Sequence, residues 1–134
     1  MPENIKKRKN VPKAIQLKVW MRDNWHCRYC GKPMFYGPAL KLLGSLNPNH
    51  KYFHPNGKDG EMLSLFAKGW ASVDHVKPFS REGKDDIENY VSACWGCNLK
   101  YGDREIGKGK LKPREIVESD WDGFYGLVGK IKQP

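Results

Sequence analysis

Four cysteines form two pairs with the same short spacing, Cys27 with Cys30 and Cys94 with Cys97. A Cys-x-x-Cys turn presents two thiolates at the angle that a tetrahedral zinc ion requires, so two such turns brought together would complete a four-cysteine site. A site of this kind has no open coordination position, and its zinc is therefore predicted to be structural. The alternative is four unrelated buried cysteines, and the shared spacing argues against it.

A second group of residues has the types needed for hydrolysis. Asp74 and His75 lie between apolar residues and run towards Pro78, which predicts a strand that ends in a loop. Asn89 follows His75 after thirteen intervening residues, and Asn98 follows after eight more. A neutral imidazole can take a proton from water near pH 7, so His75 suits general-base catalysis. Taken singly, an Asp-His pair is usually a surface pair, and asparagine is common in turns and caps.

The charge balance indicates a polyanionic partner. The chain has 134 residues, with 24 Lys and Arg against 15 Asp and Glu, a net charge of +9 and a pI near 9.4. Nucleic acid is the polyanion that such a balance favours. A basic protein without a special partner is the alternative. Lys7 and Arg8 belong to a basic run at residues 6–9, which is either a solvated tail or a phosphate-binding arm.

The sequence predicts a cytoplasmic protein with no membrane partner. Residues 1–10 are charged and lack the apolar stretch of a signal peptide. No apolar run approaches the eighteen or so residues that a membrane span needs. In this setting the cysteines are expected to be reduced, which favours metal binding over disulfides.

Together, the Asp74-His75 pair, Asn89, Asn98 and the two cysteine turns resemble the HNH endonuclease family over about residues 20–100. That family's ββα-metal motif has Asp-His on its first strand, Asn after a loop, and His or Asn opening the helix. The spacing is also similar to that of the HNH domain in CRISPR effector nucleases, which ends in Asn. The resemblance implies an α+β fold, with a ββα-metal (His-Me finger) core, zinc-binding CxxC knuckles and flanking helices.

The resemblance also implies a role for each polar residue. His75 would be the general base, Asp74 and Asn98 would ligate a catalytic divalent cation, and the amide of Asn89 would fix loop backbone and so orient His75. Many family members end the motif in His. Because a carboxylate with an amide oxygen is a harder ligand set, Mg²⁺ or Mn²⁺ is expected here rather than nickel, cobalt or zinc.

The activity implied is DNA endonuclease cleavage that leaves 5′-phosphate and 3′-hydroxyl ends. A helix opening at Asn98 would carry Lys100 and Arg104 to the phosphate backbone, and Lys77 is a further candidate DNA contact beside the arm. Small HNH proteins encoded by phages near their packaging terminase genes are similar in size, which implies a terminase subunit as partner in the host cytoplasm. Restriction-type and homing-type use stay open. The alternative function is a zinc-knuckle DNA-binding protein without catalysis.

We predict a basic arm at residues 1–11, one nuclease domain at 12–125 and a tail at 126–134. A helix is predicted from Pro12 to about Asn24, with Trp20 and Trp25 in the core. A final helix is predicted at residues 114–124, and the end of the chain is predicted to fray. Residues 32–68 form an irregular insert, and residues 61–70 a short helix or strand. His50 and His54 are expected to be exposed loop histidines.

Overall fold

The computed structural model describes residues 11–77, 86–102, 104 and 106–132, but not the side chains of residues 131 and 132. Lys7, Arg8 and Pro78 lie outside these ranges. The helices and strands follow in the order α1 (Lys13–Arg22), α2 (Gly37–Leu46), α3 (Ser64–Lys68), β1 (Ala71–His75), β2 (Tyr90–Cys94), α4 (Trp95–Tyr101) and α5 (Tyr125–Lys132). Short 3-10 turns occupy Pro48–His50 and Ile87–Asn89.

The centre of the fold is a ββα unit. β1 and β2 pair antiparallel, from Ala71 opposite Cys94 to His75 opposite Tyr90, and α4 continues directly from β2. This confirms the predicted α+β class and both predicted strands. The helix begins at Trp95, so the prediction that Asn98 opens it was wrong. The reason is that Cys94 caps the helix, because its Sγ accepts a hydrogen bond from the Cys97 amide at 3.5 Å.

Aromatic side chains fill the main core beside this unit. Trp20 and Trp25 are both buried, as predicted, with ring centroids 5.5 Å apart. α1 ends at Arg22, close to the predicted end at Asn24, and Asn24 and Trp25 take positive φ angles that turn the chain out of the helix. The same core includes Cys27, Tyr29, Met34, Val91, Ala93, Cys94 and Tyr101.

The irregular insert contains structure that the sequence pattern did not predict. α2 begins with Pro38 in its first turn, where proline fits because the amide that it lacks has no partner there. Residues 61–70 were predicted to contain a short helix or a strand, and the structure has a helix there, α3. Phe35, Leu40 and Met62 form a second buried cluster, which packs against Trp121 and Phe124.

The C-terminal prediction was wrong in two respects. Residues 111–122 contain no helix, and the predicted tail instead includes α5. Side chains from elsewhere take the carbonyl groups that a helix would use: Arg28 Nε donates to the Arg114 carbonyl at 2.6 Å, and Asn24 Nδ2 donates to that of Val117 at 2.9 Å. Trp121 Nε1 in turn donates to the Met34 carbonyl at 2.7 Å. Residues 111–122, the C-terminal strap, are held by these contacts.

None of the helices in the described ranges is both long enough and apolar enough to cross a membrane.

Candidate active site and zinc site

The four cysteines meet at one point. Their Sγ atoms all lie within 4.8 Å of one another, and Cys30 Sγ is 3.8 Å from Cys94 Sγ. Tetrahedral Zn–S bonds of about 2.3 Å place sulfur atoms about 3.8 Å apart, so the spacing fits zinc. Backbone amides of Tyr29 and Cys30 point at Cys27 Sγ, and Gly31 turns the chain with a φ of +78°. The four side chains could therefore hold one zinc ion.

The thiols differ in how readily they ionise. A hydrogen bond from Cys94 lowers the pKa of the Cys27 thiol to about 5, whereas burial raises the pKa of Cys97 to about 12. Because the thiolate is the form that binds metal, the lowered pKa makes the Cys27 thiol readier to bind a metal ion than the Cys97 thiol.

Asp23 connects the first cysteine turn to β2. Arg22 contacts both of its oxygens, at 2.9 and 3.0 Å, and Arg28 Nη1 lies 3.0 Å from Oδ1. The Ser92 amide of β2 donates to Oδ2 at 2.9 Å. Burial would raise the pKa of Asp23, but the hydrogen bonds from Arg22 and from the Ser92 amide outweigh it and hold the pKa below its ordinary value. This carboxylate is therefore charged at neutral pH and fully partnered.

Asp74 is buried at the end of β1 and is held through one oxygen. Tyr29 Oη donates to its Oδ2 at 2.6 Å, and Lys110 Nζ lies 2.9 Å from the same atom. Burial, and then the Asp74 carboxylate itself, raise the pKa of Tyr29 well above its usual range, so the phenol stays protonated and donates. Among the described residues no hydrogen-bond donor reaches Oδ1.

His75 is the last residue of β1, and only a regular continuation of the strand would send its side chain to the face opposite Asp74. His75 is only 1% exposed and packs edge-on against the Tyr90 ring at 4.9 Å between centroids. Lys110 Nζ also donates to the His75 carbonyl at 3.0 Å, so one ammonium contacts both members of the pair. A general base must touch the proton that it takes, and catalysis by His75 thus requires a water molecule or substrate group at this buried position.

Asn89 makes the backbone contacts that were predicted for it. Its Oδ1 accepts from the Lys77 amide and its Nδ2 donates to the Lys77 carbonyl, each at 2.9 Å. The Asn89 carbonyl also accepts from the Val76 amide at 2.8 Å. Three hydrogen bonds therefore fix the two residues that follow His75.

Asn98 lies in the first turn of α4 and faces β1. Its Nδ2 donates to Ser72 Oγ at 2.9 Å, and Ser72 is two residues before Asp74 on the same face of the strand. In the described part of the chain nothing donates to its amide oxygen. That oxygen and Asp74 Oδ1 are both hard metal ligands to which no group in the described ranges donates, and such a ligand set fits Mg²⁺ or Mn²⁺. Lys110 adds a positive charge that opposes such an ion.

The candidate DNA contacts that lie within the described ranges are on the surface. Lys77, Lys100 and Arg104 are exposed, and Lys100 Nζ lies 5.3 Å from the centroid of the Tyr101 ring. Lys7 and Arg8 lie outside the described residues. His50 is exposed as predicted, but the prediction for His54 was wrong. His54 is half-buried on the wall of a cavity, and its Nδ1 accepts from the Asn56 and Lys58 amides.

Sequence reasoning missed Lys110 and Tyr29, the two residues that hold Asp74. Lys110 belongs to a Gly-Lys-Gly-Lys run that has the composition of a linker, and Tyr29 stands between two cysteines. The glycines at positions 107 and 109 have φ angles of +82° and +91°, so this run is a tight turn. Two glycines separated by one residue were the only sequence signal of a turn here, and this turn places Lys110 in the protein interior.

Comparison with known proteins supports the assignment for part of the chain. The family model described as HNH endonuclease matches residues 66–104, which run from α3 through α4 and include Asp74, His75, Asn89 and Asn98. No curated protein matches the chain. HNH nucleases act on DNA and use divalent metals. Residues 66–104 of this chain are therefore similar to the HNH endonuclease family, and in this segment Cys94 ends β2 and Cys97 lies in α4.

Proposed function

We propose that this protein is a metal-dependent DNA endonuclease, with one structural zinc and a catalytic Mg²⁺ or Mn²⁺. The observation that carries the proposal is the hydrogen bond from Asn98 to Ser72, which lies two residues before Asp74 on the same face of β1, with His75 next along the strand. The HNH family match over residues 66–104 and the net charge of +9 support it.

Each residue has a task in this proposal. His75 takes the proton of the attacking water, and Asn89 keeps the backbone after His75 in place. Asp74 and Asn98 would hold the cation, which when bound neutralises charge on the phosphate and on the departing 3′ oxygen. Lys77, Lys100 and Arg104 would contact phosphates, with Lys7 and Arg8 as further candidates. Cleavage is then expected to weaken steeply as salt rises.

We propose that the product is nicked DNA with 5′-phosphate and 3′-hydroxyl ends. One ββα site acts on one phosphate, so a single chain cuts one strand, and a second cut needs another encounter or a symmetric partner. A supercoiled plasmid should become relaxed first and linear only later. Linear DNA that forms without a nicked intermediate, from a species of twice the chain mass, would overturn this part.

The biological setting in this proposal is phage genome processing, with a terminase subunit as partner. It is supported only by the similar size of the small phage-encoded HNH proteins. Co-purification of the chain with terminase subunits, compared with the same experiment on a protein of equal charge, tests it. Equal recovery of terminase subunits in both experiments would reject a terminase subunit as the partner.

The second candidate is a zinc-knuckle DNA-binding protein without catalysis. The ion pair between Lys110 and Asp74 favours it, because a carboxylate that already has a cation partner needs no metal. The two candidates differ in whether added Mg²⁺ or Mn²⁺ produces cleavage.

The deciding experiment is plasmid cleavage by wild type and two His75 variants with added Mg²⁺ or Mn²⁺. His75→Ala should abolish cleavage while DNA affinity and zinc content stay as in wild type. Because His75 is buried, His75→Gln, which is closer in size, separates loss of the base from loss of packing. Wild-type rates from either variant, or no cleavage by the unmodified protein with any divalent metal, would reject the endonuclease proposal.

A further inference from the structure

A cavity of about 700 Å³ lies beside the candidate active site. Its walls come from α1, from the loop at residues 54–57, from α3, from β1 and from the start of α4. The volume lies within the roughly 300–1,000 Å³ range of ligand-binding pockets. The insert that precedes β1 supplies the loop and α3, so this cavity is where the insert meets the HNH segment.

The walls of the cavity are aromatic and polar but carry no formal charge. Among the described residues that line it there is no Lys, Arg, Asp or Glu, although the chain has 24 basic and 15 acidic residues. The lining instead combines two indole rings with amide side chains and one imidazole, from Trp70, Trp95, Gln16, Asn56, Asn98 and His54. A neutral aromatic ring with hydrogen-bonding edges matches such walls, and a phosphate group does not.

One hydrogen-bond donor on the wall has a defined tautomer. His54 Nδ1 accepts from the Asn56 amide at 3.1 Å and from the Lys58 amide at 3.3 Å. A nitrogen that accepts from two amides carries no proton, so the proton of the neutral ring is on Nε2. His54 can therefore donate one hydrogen bond, while the amide groups of the wall can both donate and accept.

The position of the cavity relates it to the cleavage site. Ser72 and Asn98 line it and are hydrogen-bonded to each other at 2.9 Å, and Asp74 follows two residues later on the same strand face. A DNA strand whose phosphate lies at Asp74 and Asn98 thus has an adjacent nucleotide at the cavity. Trp95 is 44% exposed on the cavity side of α4, and exposed aromatic rings are the groups on which unpaired bases stack.

We propose that this cavity binds an unpaired nucleobase next to the cleaved phosphate, and that the substrate is therefore DNA with an extrahelical or single-stranded nucleotide at the cleavage site. The inference rests on the proposed endonuclease function, because it takes the position of the phosphate from that function. In a continuous duplex the base edges are paired and the faces are stacked, so a base can enter such a cavity only from an unpaired position.

The test is binding of short labelled duplexes without added Mg²⁺ or Mn²⁺, measured by fluorescence anisotropy. Three duplexes are compared: one fully paired, one with a single extrahelical nucleotide, and one with an abasic residue at that place. The extrahelical nucleotide should tighten binding about ten-fold, in line with one stacked base, and the abasic residue should remove the gain. Equal affinity for all three duplexes would overturn the proposal.

Variants of the wall identify the contact. Trp95→Ala should remove the gain from the extrahelical base, and Trp95→Phe, which retains an aromatic ring, should keep most of it. Leu46→Ala is the matched control, because Leu46 is a 57% exposed apolar residue that does not line the cavity. A Trp95→Ala variant that weakens all three duplexes equally would show a general DNA contact and would refute the pocket.

Two further measurements keep the result interpretable. Zinc content and thermal unfolding report whether the Trp95→Ala variant is folded. If that variant is unfolded, Asn56→Ala tests the same cavity wall, because Asn56 is at an exposed loop position. Selective binding by a protein that cleaves nothing would support the pocket and reject the endonuclease function. Cleavage without selectivity for the unpaired base would support the endonuclease function and reject the nucleobase pocket.

Discussion

Lys110 Nζ lies 2.9 Å from Asp74 Oδ2, in an ion pair whose side chains are 0% and 3% exposed. The lysine comes from a turn that is 36 positions beyond the aspartate in the sequence (110 minus 74). The same ammonium reaches the His75 carbonyl. The candidate site therefore contains its own cation, and this cation is part of the fold.

We predict that Lys110→Met weakens folding and strengthens metal binding. A buried carboxylate that loses its partner destabilises a protein by roughly 3–5 kcal/mol. Removal of the ammonium also removes a repulsion against any divalent ion at Asp74, so affinity for Mn²⁺ should rise at least about ten-fold, equivalent to only about 1.4 kcal/mol. Denaturant unfolding and titration calorimetry measure the two effects.

Two variants control this prediction. Lys112→Met removes the same charge from an exposed position two residues away and should change neither property. Asp74→Asn combined with Lys110→Met should recover much of the stability and bind no Mn²⁺ at this site. Unchanged or weaker Mn²⁺ binding by folded Lys110→Met protein would contradict the role of Lys110 as a competing cation.

The four-cysteine cluster predicts one tightly bound zinc ion per chain. Cys94→Ser should lose the zinc and unfold, because metal binding to such a site is coupled to folding. Elemental analysis and circular dichroism give the two readings. A brief treatment with a weak chelator should stop cleavage and leave the zinc in place, and Mg²⁺ or Mn²⁺ should then restore the activity. A folded wild-type protein with no zinc would disprove the assignment.

Asn98 is predicted to set the choice of catalytic metal. Asn98→His should keep activity and shift its preference towards nickel or cobalt, which imidazole suits better, while Asn98→Ala should lose most activity with every metal. Ser72→Ala is the control, because it removes the hydrogen bond to Asn98 and retains the amide oxygen. Cleavage rates with each metal decide the matter. If Asn98→Ala cleaved as fast as wild type, the second protein ligand would be another residue.

Asp23→Asn should destabilise the fold by roughly 3–5 kcal/mol at neutral pH, since it removes one partner from a buried ionic network. The pKa of Asp23 is lowered in the folded state, so its contribution is present above the unfolded value of 3.8 and is lost as the pH falls through the folded value. The difference in unfolding free energy between wild type and variant should thus stay constant from pH 7 to about 4 and shrink below that. A constant difference at all pH values would reject the ionic explanation.

The sequence predicted the parts of the molecule whose structure depends on neighbouring residues. The cysteine turns, both strands and α1 each follow from local spacing, and Asn89 makes the backbone contacts expected of it. The HNH resemblance named Asp74 and Asn98 as metal ligands, and that assignment stays a prediction. These residues lie within short runs whose types decide their conformation.

What the sequence did not reveal depends on contacts between distant segments. Pro113 and the apolar residues after it have the pattern of a helix, but Arg28 and Asn24 bind carbonyl groups of that stretch, which contains no helix. Lys110 looks like a solvent-exposed linker residue, and only the turn that carries it inward pairs it with Asp74. In both cases tertiary contacts override the local preference.

The C-terminal strap has a consequence for how the ββα unit can be transferred to another protein. The matched segment, residues 66–104, ends before the strap and lacks Cys27 and Cys30. Grafted alone onto another scaffold, it would bring only two of the four clustered cysteines and neither Lys110 nor Tyr29 to hold Asp74. A ribosome making this chain also has to release the strap before the first cysteine turn gains its last partners. A transferable unit therefore has to include nearly the whole described chain. A fragment that ends at the edges of the matched segment would contain the motif residues but not the residues that hold them in place.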